Sequence, residues 1–88
     1  MKKVLKINET YVLQKIENKF LIFYPDNSIL YNLNESASFI LEGIQKGLAP
    51  ETITAGYQKF YDVSSDRAKL DIQTVFDYLK KENILSDY

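Results

Sequence analysis

The segment that most constrains the fold is residues 27–47, NSILYNLNESASFILEGIQKG, in which a short strand pattern runs directly into an apolar helix pattern. Apolar side chains recur at every second position of residues 28–33, which is the period of a strand with one buried face. Asn34 follows immediately, and an asparagine side chain can accept a hydrogen bond from the free N–H groups that open a helix. Gly47 suits the left-handed conformation in which many helices end. The sequence therefore predicts a strand that stops abruptly at a helix.

Two further strand patterns precede this segment. Residues 11–16 are rich in β-forming side chains, and residues 19–24 contain an unbroken apolar run, which indicates a strand that is covered on both faces or central in a small sheet. Glu17 and Asn18 suit a two-residue hairpin loop, in which the asparagine tolerates a positive φ. Residues 24–27, Tyr-Pro-Asp-Asn, form the clearest turn signal and close a second hairpin. The sequence thus predicts a three-stranded antiparallel sheet whose third strand lies at an edge.

Three helix patterns follow the sheet. Asn34 caps the first, Pro50 suits the first position of the second, and Ser64 or Ser65 can cap the third, residues 66–82. The second helix carries an apolar stripe at helical spacing, formed by Ile53, Tyr57, Phe60 and Tyr61. The third carries a core-facing stripe formed by Ala68, Ile72, Val75, Phe76 and Leu79. These patterns predict three amphipathic helices, of which the first covers the sheet.

The element order predicts an α+β fold, β-β-β-α-α-α, in one domain of 88 residues. Residues 1–10 are expected to form either a loose arm or a partly docked extra strand. Asn83 suits a helix stop, after which Ile84 and Leu85 should fold back onto the core. The apolar share of 45% and the charged share of 26% are ordinary for a globular protein. Neither a signal peptide nor the ~18 apolar residues of a membrane span are present, so we expect a cytoplasmic protein without a membrane partner.

The composition restricts the chemistry that this chain can perform. It has no cysteine and no histidine, which excludes disulfides, thiolate zinc sites, cysteine nucleophiles and histidine bases. Two carboxylate pairs are candidates for acid-base catalysis, Asp62 with Asp66 and Asp71 with Asp77, but a helix-capping region and a solvated helix face explain them better. No phosphate-binding loop, dinucleotide motif or metal-ligand spacing is present in the sequence. The sequence therefore predicts a protein that is not an enzyme and holds no metal or cofactor.

A hairpin sheet with three helices is also the layout of winged helix-turn-helix DNA-binding proteins, whose third helix reads the major groove. The basic and amide side chains of that helix are Arg67, Lys69, Gln73, Lys80 and Lys81. Acidic side chains on the same helix offset them, namely Asp66, Asp71, Asp77 and Glu82. The net charge of the chain is −1, whereas nucleic-acid-binding domains carry a basic excess. We therefore expect no nucleic-acid partner and keep a small DNA-binding regulator as the alternative function.

The order and spacing of three motifs resemble one family. Residues 33–37, LNESA, resemble the Leu-Asn-x-Ser/Thr-Ala junction of PqqD-like proteins, which are named for a component of pyrroloquinoline-quinone synthesis. Residues 50–61 resemble the short second helix of that family, which ends in an aromatic residue. Residues 71–85, DIQTVFDYLKKENIL, resemble its closing helix and the Gly-Leu/Ile-Leu/Val ending, with Asn83 in place of the glycine. The resemblance covers residues 11–85, nearly the whole chain.

The resemblance implies a winged helix-turn-helix that recognises the leader segment of a ribosomally made and later modified (RiPP) precursor peptide. The leader would be held as an added strand on the third strand, in a groove shared with the third helix, and delivered to a modifying enzyme or a leader peptidase. Such a partner would be of the radical SAM enzyme or transglutaminase-like protease type. The product stays open between a lasso peptide, a redox cofactor, a thioether peptide and another class of product. Since a free edge can pair with its own copy, the chain is expected to be a monomer or an edge-paired or swapped homodimer.

The expected peptide-binding residues come from two elements. Those of the edge strand are Ser28, Ile29, Leu30, Tyr31, Asn32 and Leu33. Those of one flank of the third helix are Arg67, Asp71, Thr74, Val75 and Tyr78. Tyr31, Val75 and Tyr78 would form an apolar pocket, while Arg67 and Asp71 would hold charged groups of the peptide. If the other flank faces the strand, the set becomes Gln73, Asp77 and Lys80.

Overall fold

The computed structural model describes residues 5–23 and 30–87. Its elements in chain order are β1 (Leu5–Ile7), β2 (Val12–Ile16), β3 (Lys19–Phe23), β4 (Leu30–Asn32), α1 (Glu35–Gln45), α2 (Pro50–Tyr61), α3 (Ser65–Lys81) and β5 (Leu85–Asp87). This order confirms the predicted α+β fold of three antiparallel strands followed by three helices. It also adds a small two-stranded sheet formed by β1 and β5.

The three-stranded sheet has the order β2-β3-β4, so β4 lies at an edge as predicted. Ile22 of β3 stands opposite Leu13 of β2 and Tyr31 of β4. β3 is therefore the central strand, and its side chains alternate between buried Phe20 and Ile22 and their half-buried neighbours. The apolar run thus reflects a central position rather than cover on both faces. The predicted turn before β4, and with it the expected site residues Ser28 and Ile29, lie outside the described residues.

The loop between β2 and β3 contains two residues, as predicted, because Ile16 pairs with Lys19. Its left-handed residue is Glu17, with φ 58°, and not Asn18. The first position of such a loop often takes a positive φ. Here that position is a glutamate, although a Cβ atom makes a positive φ less favourable.

The helix ends follow the capping signals. The Asn34 side chain accepts a hydrogen bond from the Ala37 N–H at 2.9 Å, and Ser64 caps α3 in the same manner. α2 begins at its proline. Gly47 and Asn83 have φ angles of 77° and 61°, so both take the left-handed conformation that ends a helix. Local sequence therefore sets where these helices start and stop.

The core lies where α1 and α3 meet the inner face of the sheet and the short β1-β5 sheet. Its fully buried large side chains come from the sheet, from α1, from α3 and from the segment before β5, and are Ile22, Ile40, Leu41, Leu79 and Ile84. α2 approaches α1 closely at Gly43, where a Cβ atom would lie 2.8 Å from Cγ1 of Ile53. The absence of a side chain at this glycine allows the two helices to pack together.

Two of the predicted apolar stripes need correction. The α3 stripe is buried as expected at four positions, Ala68, Ile72, Phe76 and Leu79. Val75 is only half-buried, because it stands at the border of that stripe. In α2, Ile53 and Tyr57 are buried, but Phe60 is 69% exposed. Phe60 therefore lies on the surface, although its spacing indicated a core position.

The two ends of the described chain pair with each other. Ile7 stands opposite Leu85, and the Asn8 N–H donates to the Ile84 carbonyl oxygen at 2.8 Å. Residues 5–7 thus form a docked strand, one of the two states expected for this segment. Ile84 and Leu85 are buried, as expected for residues that fold back onto the core. Within the described ranges, no helix combines the length and the apolar character that crossing a bilayer requires.

Candidate functional site

A buried serine attaches the end of β4 to β3. The Ser38 hydroxyl oxygen accepts the Phe20 N–H at 2.8 Å and lies 3.5 Å from the Leu33 carbonyl oxygen. The Leu33 N–H donates to the Phe20 carbonyl oxygen at 3.0 Å. Leu33 is only 5% exposed. This expected site residue therefore belongs to the core and pairs with β3. Its role is to anchor the strand from inside.

The polar groups along β4 point alternately toward β3 and away from it. Residues that face each other across an antiparallel pair alternate between hydrogen-bonded and non-hydrogen-bonded positions. Since the Leu33 N–H points to β3, Tyr31 also points its main-chain groups to β3, opposite Ile22. It follows that the N–H and C=O groups of Leu30 and Asn32 point to the open edge. These groups are what β4 offers to another strand.

Tyr31 spans the space between β4 and α3. Among the described residues, the backbones of β4 and α3 are not in contact, so side chains join the two elements, and we term the surface between β4 and α3 the groove. The Tyr31 ring meets the Tyr78 ring edge-on, with centroids 6.5 Å apart. The Tyr31 hydroxyl donates to Oε1 of Glu82 at 2.8 Å. The aromatic side chains of the expected pocket thus lie together at one end of the groove.

The flank of α3 that reaches Tyr31 is the one that carries Tyr78. On the other flank, Nε2 of Gln73 donates to Oδ1 of Asp77 at 2.8 Å, and both side chains are exposed. Lys80, the third member of that alternative set, is exposed as well. Of the two expected residue sets, the first therefore contributes a residue, Tyr78, that contacts β4.

Val75 and Thr74 stand between the two ends of this flank. Val75 is half-buried and packs against the core, so part of its side chain faces the groove side of α3. The Thr74 hydroxyl donates to the Leu70 carbonyl oxygen at 2.8 Å, one turn back in the same helix. Tyr78 remains 41% exposed despite its contact with Tyr31. Burial, and then the nearby charge of Glu82, raise the pKa of the Tyr78 phenol.

The charged residues of the flank are paired with each other and with α2. Nε of Arg67 donates to Oδ1 of Asp71 at 3.0 Å, and the Tyr57 hydroxyl donates to Oδ2 of Asp71 at 2.8 Å. Burial first, and then the hydrogen bond to Asp71, raise the pKa of the Tyr57 phenol to about 12. Asp71 therefore links α2 to α3 and orients Arg67. The Arg67 side chain is 65% exposed.

Glu82 belongs to this arrangement, although sequence reasoning treated it only as an acid that offsets basic side chains. Besides accepting from Tyr31, it accepts the Tyr11 hydroxyl at its carbonyl oxygen, at 2.7 Å. It thus connects β4 and the segment before β2 to the end of α3. Its position four residues after Tyr78 is a signal that could have indicated this role, because such residues lie on one helix face.

In the described ranges, no group of three or more acidic side chains is placed to hold a metal ion. What the arrangement provides is a set of outward main-chain groups on β4, an aromatic contact between β4 and α3, and an exposed arginine on α3. The chemistry of these groups is hydrogen bonding, apolar contact and charge pairing, which are the interactions of peptide recognition.

Comparisons with known proteins agree with this geometry. A family model described as coenzyme PQQ synthesis protein D (PqqD) matches residues 19–85. The structure of TbiB1 in complex with the TbiA(beta) leader peptide has a TM-score of 0.86 at 20% identity, covering 94% of this chain and 96% of that chain.

The structure of lasso peptide synthetase B1 complexed with the leader peptide has a TM-score of 0.84 at 16% identity, covering 94% of this chain and 98% of that chain. No curated protein sequence matches the chain. At these identities the two structures show a shared fold, whereas the family model spans most of the sequence. The chain belongs to the PqqD family.

Proposed function

We propose that this protein binds the leader segment of a ribosomally made precursor peptide as an additional strand on the free edge of β4. The observation that carries the proposal is the outward direction of the Leu30 and Asn32 main-chain groups beside the groove. Membership of the PqqD family supports it. So does the similarity to two structures of the same fold that were solved with leader peptides.

The added strand would lie about 4.8 Å from β4, on the side that borders α3. Main-chain hydrogen bonds to Leu30 and Asn32 would supply affinity that depends little on the peptide sequence. Alternate side chains of the peptide would point into the groove, where side-chain pockets supply selectivity. Binding therefore divides between a general contribution from β4 and a selective contribution from α3.

We infer that the aromatic end of the groove accepts an apolar side chain of the leader. Val75 and Tyr78 would contact it, and Tyr31 would form the wall. The bond from Tyr31 to Glu82 holds that wall in place before the peptide arrives. A wall that is already ordered loses little side-chain entropy on binding.

At the other end of the groove, Arg67 would pair with an acidic group of the leader. Asp71 already accepts hydrogen bonds from Arg67 and Tyr57. Its role would therefore be to orient the guanidinium rather than to contact the peptide. A leader with an apolar residue and an acidic residue on the same side of an extended strand would fit both ends.

The bound leader would be presented to the enzyme that modifies the peptide or removes its leader. PqqD-family proteins are generally non-catalytic binding domains, which is consistent with a presenting role. The candidate partners are a radical SAM enzyme and a transglutaminase-like protease. The similarity to lasso peptide synthetase B1 favours the second, and with it a lasso peptide as the product.

The proposal can be tested by titrating ¹⁵N-labelled protein with the leader peptide encoded beside its gene. We expect amide shift changes confined to β4 and the groove flank of α3, and none with a scrambled peptide of the same composition. Changes along β2, the other edge of the sheet, would contradict the binding mode. Failure to bind the leader, together with salt-dependent binding of a DNA duplex, would favour the DNA-binding alternative.

A further inference from the structure

A second recessed surface lies away from the groove, between α1, the end of α2 and the β2–β3 hairpin. It encloses a cavity of about 210 Å³. The residues that line it include Lys15, Glu35, Phe39, Glu42, Phe60 and Tyr61, and we term this surface the aromatic cleft. A space of this size fits one long side chain.

The walls of the aromatic cleft are aromatic rings held in fixed positions. Phe60 stacks on Phe39, with ring centroids 5.1 Å apart and planes at 24°. Tyr61 meets Phe39 edge-on at 5.7 Å. Phe60 is nevertheless 69% exposed, more than any other large hydrophobic side chain described. An ordered but exposed aromatic residue is typical of the residues that dominate binding at protein interfaces.

The two acidic residues of the aromatic cleft differ in whether their charge is compensated by a nearby cation. Glu42 accepts from Lys15 Nζ at 3.0 Å and lies 3.9 Å from Lys46 Nζ, so its charge is compensated. Glu35 forms no ion pair within the described part of the chain. Its charge adds to the effect of burial in raising the pKa of the Tyr61 phenol, so its carboxylate stands close to the aromatic wall.

These features are complementary to a cation carried on an apolar stem. Aromatic faces attract a cation, and a free carboxylate pairs with it. The methylene stem of an arginine or lysine can lie along the rings while the charged head stays near water. The occupant that fits the cleft is therefore a basic side chain.

The position of the cleft indicates which molecule supplies that side chain. Lys15 belongs to β2, at the sheet edge opposite β4. Two strand spacings, about 10 Å, separate β2 from β4, and the added peptide lies beyond β4. A second molecule could therefore occupy the cleft while the peptide occupies the groove.

We propose that the aromatic cleft docks the enzyme that acts on the bound peptide, through an arginine or lysine side chain of that enzyme inserted between Phe60 and Glu35. This rests on the proposed function. It assigns the two surfaces of the domain to two different partners, the cargo peptide at β4 and the enzyme at the cleft.

The chemistry of the cleft can be probed with small compounds. We expect N-acetylarginine amide to shift the resonances of Phe39, Phe60 and Tyr61, and the neutral isostere N-acetylcitrulline amide to leave them unchanged. Glu35→Gln should lower the affinity for N-acetylarginine amide about tenfold, because a charge-assisted hydrogen bond is lost. Glu51→Gln, which neutralises an exposed acid in the first turn of α2, should have no effect. Equal responses to both probes, or none to either, would overturn the proposal.

The occupant is tested with the leader peptide and with the enzyme encoded beside the precursor gene. Phe60→Ala and Glu35→Gln should each weaken enzyme binding at least about tenfold and leave leader affinity unchanged. Leu48→Ala, at another exposed apolar residue, should change neither affinity.

Three outcomes of this experiment would refute the enzyme as the occupant. The first is cleft shifts caused by the leader alone, and the second is cleft shifts that depend on protein concentration, which would indicate a second copy of the chain. The third is that Phe60→Ala and Glu35→Gln both bind the enzyme as tightly as the wild-type protein does. If instead the leader fails to shift β4, the proposed function itself is wrong, so the two failures are distinguishable.

Discussion

Tyr31 of β4 meets Tyr78 of α3 edge-on, with ring planes at 83° and centroids 6.5 Å apart. This contact crosses the groove and joins β4 to α3 through side chains. Edge-to-face packing is a favoured arrangement of aromatic pairs, and the Tyr31 hydroxyl is fixed by Glu82. The pair therefore defines one end of the groove and joins the sheet edge to the helix beside it.

Replacing Asn32 by proline should weaken leader binding strongly while the domain still folds. The Asn32 N–H points to the open edge, so proline removes a hydrogen bond to the peptide without removing one to β3. Each lost main-chain bond is worth about 1 kcal/mol, and the altered edge should raise Kd more than tenfold. Fluorescence anisotropy with a labelled leader measures this. Asn32→Ala, which keeps the N–H, should bind nearly as wild type, and native affinity in a folded proline variant would refute strand addition here.

Removing the Tyr31 hydroxyl should loosen the wall of the groove. Tyr31→Phe keeps the ring but deletes the bond to Glu82, at an expected loss of about 0.5–1.5 kcal/mol in unfolding free energy. Urea denaturation gives this value. Adding Glu82→Ala to the Tyr31→Phe background should produce a loss smaller than the sum of the two single losses, because both remove one interaction. Strictly additive losses would show that the two side chains are not coupled.

The two flanks of α3 should differ in their effect on leader affinity. Tyr78→Ala and Val75→Ala remove apolar contacts in the groove and should each raise Kd about tenfold. Gln73→Ala and Asp77→Ala change the opposite flank and should leave Kd within about twofold of wild type. Calorimetric titration compares all four variants. The reverse ranking would mean that the peptide contacts the Gln73 flank.

The Tyr57 phenol should make the domain less stable at high pH. Its pKa in the folded protein is raised to about 12 from the ordinary value of 10.0, so the folded state keeps this proton where the unfolded chain has lost it. The contribution of the protonated Tyr57 phenol to the free energy of unfolding is thus fully present below pH 10 and is lost as the pH rises toward 12. Between pH 9 and pH 11, the urea concentration at the unfolding midpoint should fall more for the wild-type protein than for Tyr57→Phe. Equal falls would assign the pH dependence to other groups.

Local structure in this protein follows from local sequence. Asn34, Ser64 and Gly47 act on backbone groups within a few residues of themselves, so their roles can be predicted without knowing the fold. The alternation of side chains along residues 28–33 likewise predicts a strand whatever lies beside it. The family resemblance at residues 33–37 depends on the same short-range features.

The peptide-binding residues on α3 stay a prediction. The periodicity of α3 groups Asp71, Val75 and Tyr78 on one flank, but it gives only the angle of each residue around its own helix axis. Whether that flank or the Gln73 flank lies beside β4 depends on how the helix is rotated in the assembled core. The contact of Tyr31 with Tyr78 supports the Tyr78 flank, because it brings that side of α3 toward β4.

The sequence by itself determined the order of the three-stranded sheet and the three helices, the helix caps, the edge position of β4 and the family. Only the tertiary structure decided that Leu33 belongs to the core, that Asp71 is shared by Arg67 and Tyr57, and that Phe60 stays exposed. The reason is physical: caps and periodicities act over a single turn of chain. Burial and pairing depend instead on which surfaces of distant segments meet, and that is settled by the packing of the whole domain.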